Sequence, residues 1–369
     1  MYFKLKNRVL VFNQTYPKIM KKTILLALLF LQTLSGISQT KKLEDLCQVF
    51  NLTDGKDTTT FIVWGSKESL KIKKPLFFFR QGSQPYPLIE NRDGHFVPFY
   101  PFPLEDITNK YHFVMVQKLG TELVVNSTYL KDFFAGMKTA NSKYLTKKYM
   151  ENNNLDKATA QCNQVINYLI KQPWIDSKRV VFCGGSEGFT VGANLVANFN
   201  KSITHTILFS AHAGRRFEHL IYQNRQAVRE GKMTAEEAQK EIEQLYKGWE
   251  DVCNYPKSID KSFGDTYYAW HSFSTKNTDN LLKINTPLYI AYGTEDNEIT
   301  IGLDYLPLDF IEKGKKNLTL KAYVNCDHQF FELKKDAYGK VVDKVYQGDK
   351  VSQDFMEWLG RELGDIIWI

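Results

Sequence analysis

The sequence predicts an α/β protein with a mostly parallel central sheet and helices on both faces. Short apolar runs alternate with amphipathic helical stretches, which is the pattern of sheets covered by helices. The later runs are nearly continuous in apolar residues, as expected of strands buried on both faces. A chain of 369 residues with 43% hydrophobic content can bury the core of one large domain.

Seven runs of β-branched, aromatic and aliphatic residues predict strands. They are Thr60–Gly65, Pro75–Arg80, His112–Gln117, Arg179–Gly184, His205–Ser210, Pro287–Gly293 and Leu318–Val324. Helical spacing of apolar residues predicts helices over 156–172, 191–199 and 352–363.

Residues 215–286 interrupt this alternation. About 76 residues separate the fifth and sixth predicted strands, where one crossover needs about a dozen. Thr234 and Glu237 form a capping-box signature ahead of an apolar helical stripe. We expect a helical cap insertion at about 215–286 that extends from the carboxyl ends of the strands. The alternative is a segment that packs against the flank of the sheet and adds only stability.

Residues 1–38 predict an export signal. Met20, Lys21 and Lys22 precede twelve mostly apolar residues, and small residues follow ahead of Gln39. The run is shorter than the ~20 residues of a membrane span, so a retained N-terminal anchor is the less favoured alternative. Met20 is a candidate start of the natural chain. We expect a periplasmic or extracellular domain over 39–369, without stable membrane association once the signal is removed.

The net charge of +7 comes mostly from this leader, which holds six Lys or Arg residues and no acidic residue. The remainder carries +1, so no electrostatic argument favours nucleic-acid binding. Five cysteines are too few for a disulfide framework, and their spacing identifies no pair. No zinc or calcium spacing occurs, so we predict neither metal nor cofactor.

Ser186 stands between two glycines, directly after an apolar strand and directly before a helix. Gly184-x-Ser186-x-Gly188 has the spacing of a nucleophile elbow, which exposes a serine hydroxyl at a strand–helix turn. The alternative is an ordinary Gly-rich turn. A nucleophilic serine also needs a base, and a carboxylate to orient that base.

The last two predicted strands supply both groups. Asp296 follows one strand in "AYGTEDNEI", which also presents Glu295 and Glu298, and we favour Asp296 as the carboxylate. His328 follows the next strand in "VNCDHQFF". The carboxyl ends of parallel strands meet at one edge of a sheet, so the three groups can converge there in the order Ser, Asp, His. His212, in "SAHAG", is a candidate pocket residue.

The segments "GGSEG", "PLYIAYGTED" and "CDHQF" together resemble the α/β-hydrolase superfamily, from about Thr60 to Leu363. The stretch "WIDSKRVVFCGGSEG" looks like the prolyl-oligopeptidase and dienelactone-hydrolase branches. The resemblance implies an α/β-hydrolase fold, with Ser186 as nucleophile, Asp296 as orienting acid and His328 as general base.

An acyl-transfer site also needs donors for the developing oxyanion. We expect one from the backbone N–H of Glu187, and another from Ser83 or Gln84 in "RQGSQPYP", unless that loop is a plain glycine turn. Gln81 stands where the family commonly has His. Four aromatic residues are candidate substrate contacts, with core packing as the alternative: Tyr86, Phe99, Trp249 and Trp270.

These features predict an exported serine hydrolase that cleaves carboxylic esters through an acyl-enzyme. A peptidase of the prolyl-oligopeptidase type is the alternative, and an inactive hydrolase-like binding protein is less favoured. The expected substrate is a small-molecule ester or a short peptide.

Overall fold

A computed structural model describes residues 42–55, 57–136, 143–296 and 302–361. The predicted export signal, residues 1–38, lies outside these ranges. The strands are β1 (Cys47–Asp54), β2 (Asp57–Trp64), β3 (Lys74–Arg80), β4 (Ile89–Arg92), β5 (His95–Pro98), β6 (His112–Val116), β7 (Val124–Asn126), β8 (Ile175–Gly185), β9 (His205–Phe209), β10 (Leu288–Gly293), β11 (Leu318–Tyr323), β12 (Phe331–Lys335) and β13 (Val341–Tyr346).

The helices alternate with these strands, and a short 3-10 helix spans Lys67–Lys71. The α-helices are α1 (Leu43–Leu46), α2 (Glu105–Lys110), α3 (Ser127–Gly136), α4 (Lys147–Asn152), α5 (Leu155–Leu169), α6 (Glu187–Asn198), α7 (Arg216–Arg229), α8 (Ala235–Asn254), α9 (Tyr267–Phe273), α10 (Asn277–Leu281), α11 (Leu306–Glu312) and α12 (Gly348–Gly360).

The central sheet has eight strands in the order β1-β2-β6-β3-β8-β9-β10-β11. The six strands from β6 to β11 pair in parallel, whereas β1 and β2 form an antiparallel hairpin at one edge. All seven predicted strands lie in this sheet, which confirms the predicted mostly parallel architecture. The sequence does not predict β1, because "CQVFNLTD" mixes polar and apolar residues, as edge strands commonly do.

Both faces of the sheet are buried, which explains the continuous apolar runs. In β3, Leu76 and Phe78 face a core shared with α5 and α6, whereas Phe77 and Phe79 face the core under α2 and α12. Each fully buried Phe stabilises the fold by about 1.5–3 kcal/mol relative to an exposed one.

Two small sheets also escaped sequence analysis. One has the order β5-β4-β7, and the other is the β12–β13 hairpin. Every residue of β13 is exposed, so it has no apolar pattern from which a strand could be predicted.

Residues between β9 and β10 form four helices, α7 to α10. Thr234 caps α8 as predicted: its side chain accepts from the Glu237 N–H, and the Glu237 carboxylate accepts from the Thr234 N–H. A separate apolar cluster holds α7, α8 and α9 together around Phe217, Leu245 and Trp270. Of the helices in the described ranges, none has both the length and the apolarity needed to cross a membrane.

Candidate active site

The predicted site residues follow the carboxyl ends of neighbouring parallel strands. The last residue of β8, Gly185, pairs with Phe209 at the end of β9. The last residue of β10, Gly293, pairs with Tyr323 at the end of β11. The residues that follow these four strand ends therefore emerge at the same edge of the sheet, which in open α/β sheets is the edge that binds ligands.

Ser186 lies at a sharp turn between β8 and α6. Its φ of 54° and ψ of −120° are unusual for a residue with a side chain. The surrounding structure holds this conformation, since the Ser186 N–H donates to the Phe209 carbonyl at 3.0 Å. Such strain is typical of a nucleophile elbow and keeps the hydroxyl at the sheet edge.

The two glycines of the motif permit close backbone contacts. A Cβ on Gly184 would lie 2.2 Å from the Gly188 carbonyl oxygen, and one on Gly188 would lie 2.3 Å from the Arg80 carbonyl oxygen. Both distances are far below van der Waals contact. The Gly-x-Ser-x-Gly spacing is therefore required for α6 to approach β3 and β8 this closely.

Asp296 and His328 are in direct contact. His328 Nδ1 lies 2.8 Å from Asp296 Oδ2, and a carboxylate oxygen can only accept, so Nδ1–H donates. The Asp296 side chain is fully buried, whereas that of His328 is 26% exposed. This arrangement fixes the ring orientation and leaves Nε2 as the proton acceptor.

The neighbouring acids have other partners or lie outside the described residues. Glu295 forms an ion pair with Lys335 at 2.7 Å, whereas Asp296 is the carboxylate that contacts His328. Glu298 lies in the undescribed segment 297–301. The loop of His328 is tied to the end of β9, the neighbour of the nucleophile strand β8, because the Ser210 hydroxyl donates to the His328 carbonyl at 2.8 Å.

The loop after β3 lies against the nucleophile. A Cβ on Gly82 would be 3.1 Å from the Ser186 Cβ. The backbone of Ser83 and Gln84 is held nearby: the Tyr149 hydroxyl donates to the Ser83 carbonyl, and the Tyr86 N–H donates to the Gln84 carbonyl at 2.8 Å. Gln81 donates to the Pro87 carbonyl at 3.0 Å, and so it stabilises the loop.

Lys118 is a site residue that sequence analysis missed. It follows β6, and its ammonium donates to the Gly82 carbonyl and to Glu187 Oε1, the latter at 3.1 Å. Both side chains of this ion pair are buried, with 3% and 6% exposed. Burial lowers the pKa of Lys118 to about 8, although the Glu187 carboxylate opposes the shift. One ammonium thus connects the two segments expected to supply the oxyanion donors.

A cavity of about 110 Å³ opens beside Ser186. Its walls are Ser83, Ser186, Glu187, Thr190, Ala211, His212, Arg216 and Phe273. Ligand pockets are usually ~300–1,000 Å³, so this cavity accommodates only a short group. Arg216 and Phe273 come from the segment 215–286, which therefore borders the nucleophile.

His212 lines this cavity as a neutral ring. Burial lowers its pKa to about 4, and its Nδ1 lies 2.7 Å from the Gly214 carbonyl oxygen. Because a carbonyl only accepts, Nδ1 carries the proton and Nε2 is an acceptor.

The four aromatic residues predicted to bind substrate are not among the walls of this cavity. Tyr86 and Phe99 stack on each other with ring centroids 4.7 Å apart. Trp249 packs against Phe217 at 4.8 Å, and the Trp270 ring lies beneath the Arg216 guanidinium. Their role in substrate binding stays a prediction.

No protein-family model and no curated protein sequence matches the chain. Solved structures do match the chain. Acylaminoacyl peptidase of Pyrococcus horikoshii aligns with a TM-score of 0.51 and 13% identity, over 92% of this chain and 44% of the peptidase. A candidate dipeptidyl aminopeptidase IV from Bacteroides ovatus aligns with a TM-score of 0.50 and 11% identity, over 86% and 36%.

The chain has the α/β-hydrolase fold. This confirms the predicted resemblance at the level of the fold. The chain spans less than half the length of these two peptidases. A fold hosts many activities, and the residues of the site decide which one a chain has.

Proposed function

We propose that this α/β-hydrolase chain is a serine hydrolase that cleaves carboxylic esters through an acyl-enzyme. The observation that supports this most is the hydrogen bond from His328 to the buried Asp296 carboxylate, at the same sheet edge as Ser186 on its strained elbow. Both features cost free energy that packing does not repay. A buried carboxylate is unfavourable without a partner, and the backbone of the elbow serine is strained.

In the proposed reaction, His328 Nε2 takes the Ser186 proton as Oγ attacks the ester carbonyl carbon. Asp296 stays ionised and stabilises the imidazolium that forms. The carbonyl oxygen becomes an oxyanion, stabilised by the backbone N–H groups of Glu187 and of Ser83 or Gln84. His328 returns the proton to the departing alcohol. A water molecule, activated by the same ring, then releases the acid and restores Ser186.

The size of the cavity supports a short acyl group. Its volume of about 110 Å³ is below the ~300–1,000 Å³ of most ligand pockets, which favours a small acyl group. Peptidase activity is the second candidate, because both solved structures named above are described as peptidases. Export of this hydrolase remains a proposal that rests on the basic and apolar leader, residues 1–38.

The test compares 4-nitrophenyl acetate and butyrate with aminoacyl 4-nitroanilides. We expect ester hydrolysis with a burst of nitrophenol equal to the enzyme concentration, and much slower anilide hydrolysis. Ser186→Ala should abolish the burst. Ser177→Ala, an exposed serine near the other end of β8, is the matched control and should behave as wild type. Full turnover in Ser186→Ala would refute the proposal, and faster anilide hydrolysis would make it a peptidase.

A further inference from the structure

Arg216 places a permanent positive charge in the wall of the Ser186 cavity. It is the first residue of α7 and comes from the insertion. Its Cζ lies 4.1 Å from the centre of the Trp270 ring, so the guanidinium stacks on the indole. Stacking uses the face of this planar cation and leaves its N–H groups, which lie in the plane, available to an acceptor.

The described charges around the cavity compensate Arg216 only in part. Lys118 and Arg80 are further cations in this region, since the charge of Arg80 lowers the pKa of Lys118. Of the described carboxylates nearby, Asp296 is bound by His328 and Glu218 by Arg215. Glu187 is bound by Lys118 at 3.1 Å, and Asp265 lies 3.5 Å from Arg216 Nη1. A charge-assisted hydrogen bond is normally ~2.7–2.9 Å, so Asp265 compensates Arg216 only in part.

The donors of the two arginines are poorly satisfied. Nε and Nη1 of Arg80, whose residue is only 3% exposed, have no acceptor among the described residues, and the Nη1 of Arg216 has the Asp265 carboxylate only at 3.5 Å. A buried N–H without a good acceptor is costly. An anion bound in the cavity would give Arg216 a closer acceptor and more complete charge compensation.

The remaining walls are compatible with an anion. Ser83 and Thr190 have hydroxyl groups that can donate, and Ala211 and Phe273 are apolar. His212 is neutral at neutral pH, since burial lowers its pKa to about 4. Among the described residues of the wall, Glu187 supplies the only carboxylate, and Lys118 already binds it.

We propose that the cavity binds a carboxylate carried by the acyl group of the substrate, with Arg216 as its main partner. The cavity is about 110 Å³, below the ~300–1,000 Å³ of most ligand pockets, so we expect the carboxylate to be carried on a short chain. The substrate class is then a monoester of a short dicarboxylic acid. This inference rests on the proposed hydrolase function.

The kinetic test compares 4-nitrophenyl hydrogen glutarate with 4-nitrophenyl valerate, which has the same acyl length without the charge. Wild type should have the higher kcat/KM for the glutarate ester, after correction for its spontaneous hydrolysis. Arg216→Gln should lower the glutarate-to-valerate ratio ~10- to 100-fold, the usual effect of losing a hydrogen bond to a charged group. Arg216→Lys should retain part of the preference. Arg225→Gln, on the same helix but paired with Gln239, is the matched control and should not change the ratio.

A second variant tests the sign of the charge effect. Asp265→Asn removes the carboxylate that competes for Arg216, so the preference for the glutarate ester should increase. A decrease in this variant would contradict the proposal.

Binding of free glutarate to Ser186→Ala separates this proposal from the hydrolase function. Calorimetry should show binding that Arg216→Gln weakens at least ~10-fold and that added salt weakens too. If wild type hydrolyses both esters equally and glutarate does not bind, the carboxylate site is refuted while the hydrolase function stands. If glutarate binds but neither ester is hydrolysed, the hydrolase function fails and the anion site stands.

Discussion

Lys118→Met tests most directly whether Lys118 positions the backbone donors of the oxyanion site. Methionine nearly matches the length of lysine but cannot donate to the Gly82 carbonyl or to Glu187. It leaves the Glu187 carboxylate, 6% exposed, without its counter-ion. Breaking a buried ion pair by removing one partner usually costs about 3–5 kcal/mol of unfolding free energy. At roughly 2 °C per kcal/mol for a large domain, Tm should fall on the order of 6–10 °C.

Turnover should fall as well, because the Gly82 loop and the N-terminus of α6 lose their common partner. Complete loss of one oxyanion donor typically lowers kcat ~10²–10³-fold. The loss of kcat in Lys118→Met should not exceed this factor, because the loop is displaced but its backbone donors remain. The double variant Lys118→Met/Glu187→Gln removes the uncompensated charge. We therefore expect it to recover most of the lost Tm but little of the lost kcat.

The assay is thermal unfolding by circular dichroism together with 4-nitrophenyl butyrate kinetics. Lys110→Met, an exposed lysine two residues before β6, is the matched control and should change neither quantity appreciably. If Lys118→Met keeps kcat within about twofold of wild type, Lys118 does not position the oxyanion donors, whatever happens to Tm.

The remaining predictions concern pH, the triad, the insertion and export. Only protonated Lys118 can bind the Glu187 carboxylate, and the pKa of Lys118 is about 8. We therefore expect kcat to fall as the pH rises through about 8. This fall should be absent from the pH–rate profile of Lys118→Met. Asp296→Asn should lower kcat by up to ~10⁴, while circular dichroism shows an intact fold. Because Glu295 is paired with Lys335, Glu295→Gln should keep a kcat near that of wild type. The reverse outcome would identify Glu295 as the acid. Trp249→Ala should change selectivity across an acyl-chain series if the insertion restricts the site, and an equal loss for every substrate would make its role structural. N-terminal sequencing of the natural protein should begin at Gln39; retention of the apolar run in a membrane fraction would mean an anchor.

The strands near the nucleophile could be predicted because each is buried on both faces. Strand β10 and the second half of β8 have no solvent-facing side, so their sequences are continuously apolar up to the glycines at their ends, and polar residues follow. These strand ends are also where Ser186 and Asp296 lie. Burial of the strands on both faces therefore made both the strands and the positions of these site residues predictable.

Lys118 and Arg216 could not be predicted because their partners are distant along the chain. Lys118 and Glu187 are 69 residues apart, and neither residue belongs to a local motif that implies the pair. A lysine after a strand is ordinarily exposed, whereas the ammonium of this one is held in the interior by Gly82 and Glu187. Trp270 lies in the segment expected to approach the site, but its ring supports Arg216 rather than lining the cavity.

Covalent labelling by a fluorophosphonate tests the central claim, that Ser186 is a nucleophile activated by His328, most directly. The reagent forms a bond from Oγ to phosphorus and releases fluoride. Mass spectrometry of the digested protein should find one label per chain, on the peptide that contains Ser186. Labelling should be absent in Ser186→Ala, strongly slowed in Asp296→Asn, and unchanged in Ser177→Ala. A wild-type protein that remains unlabelled, or a label that persists in Ser186→Ala, would contradict the claim.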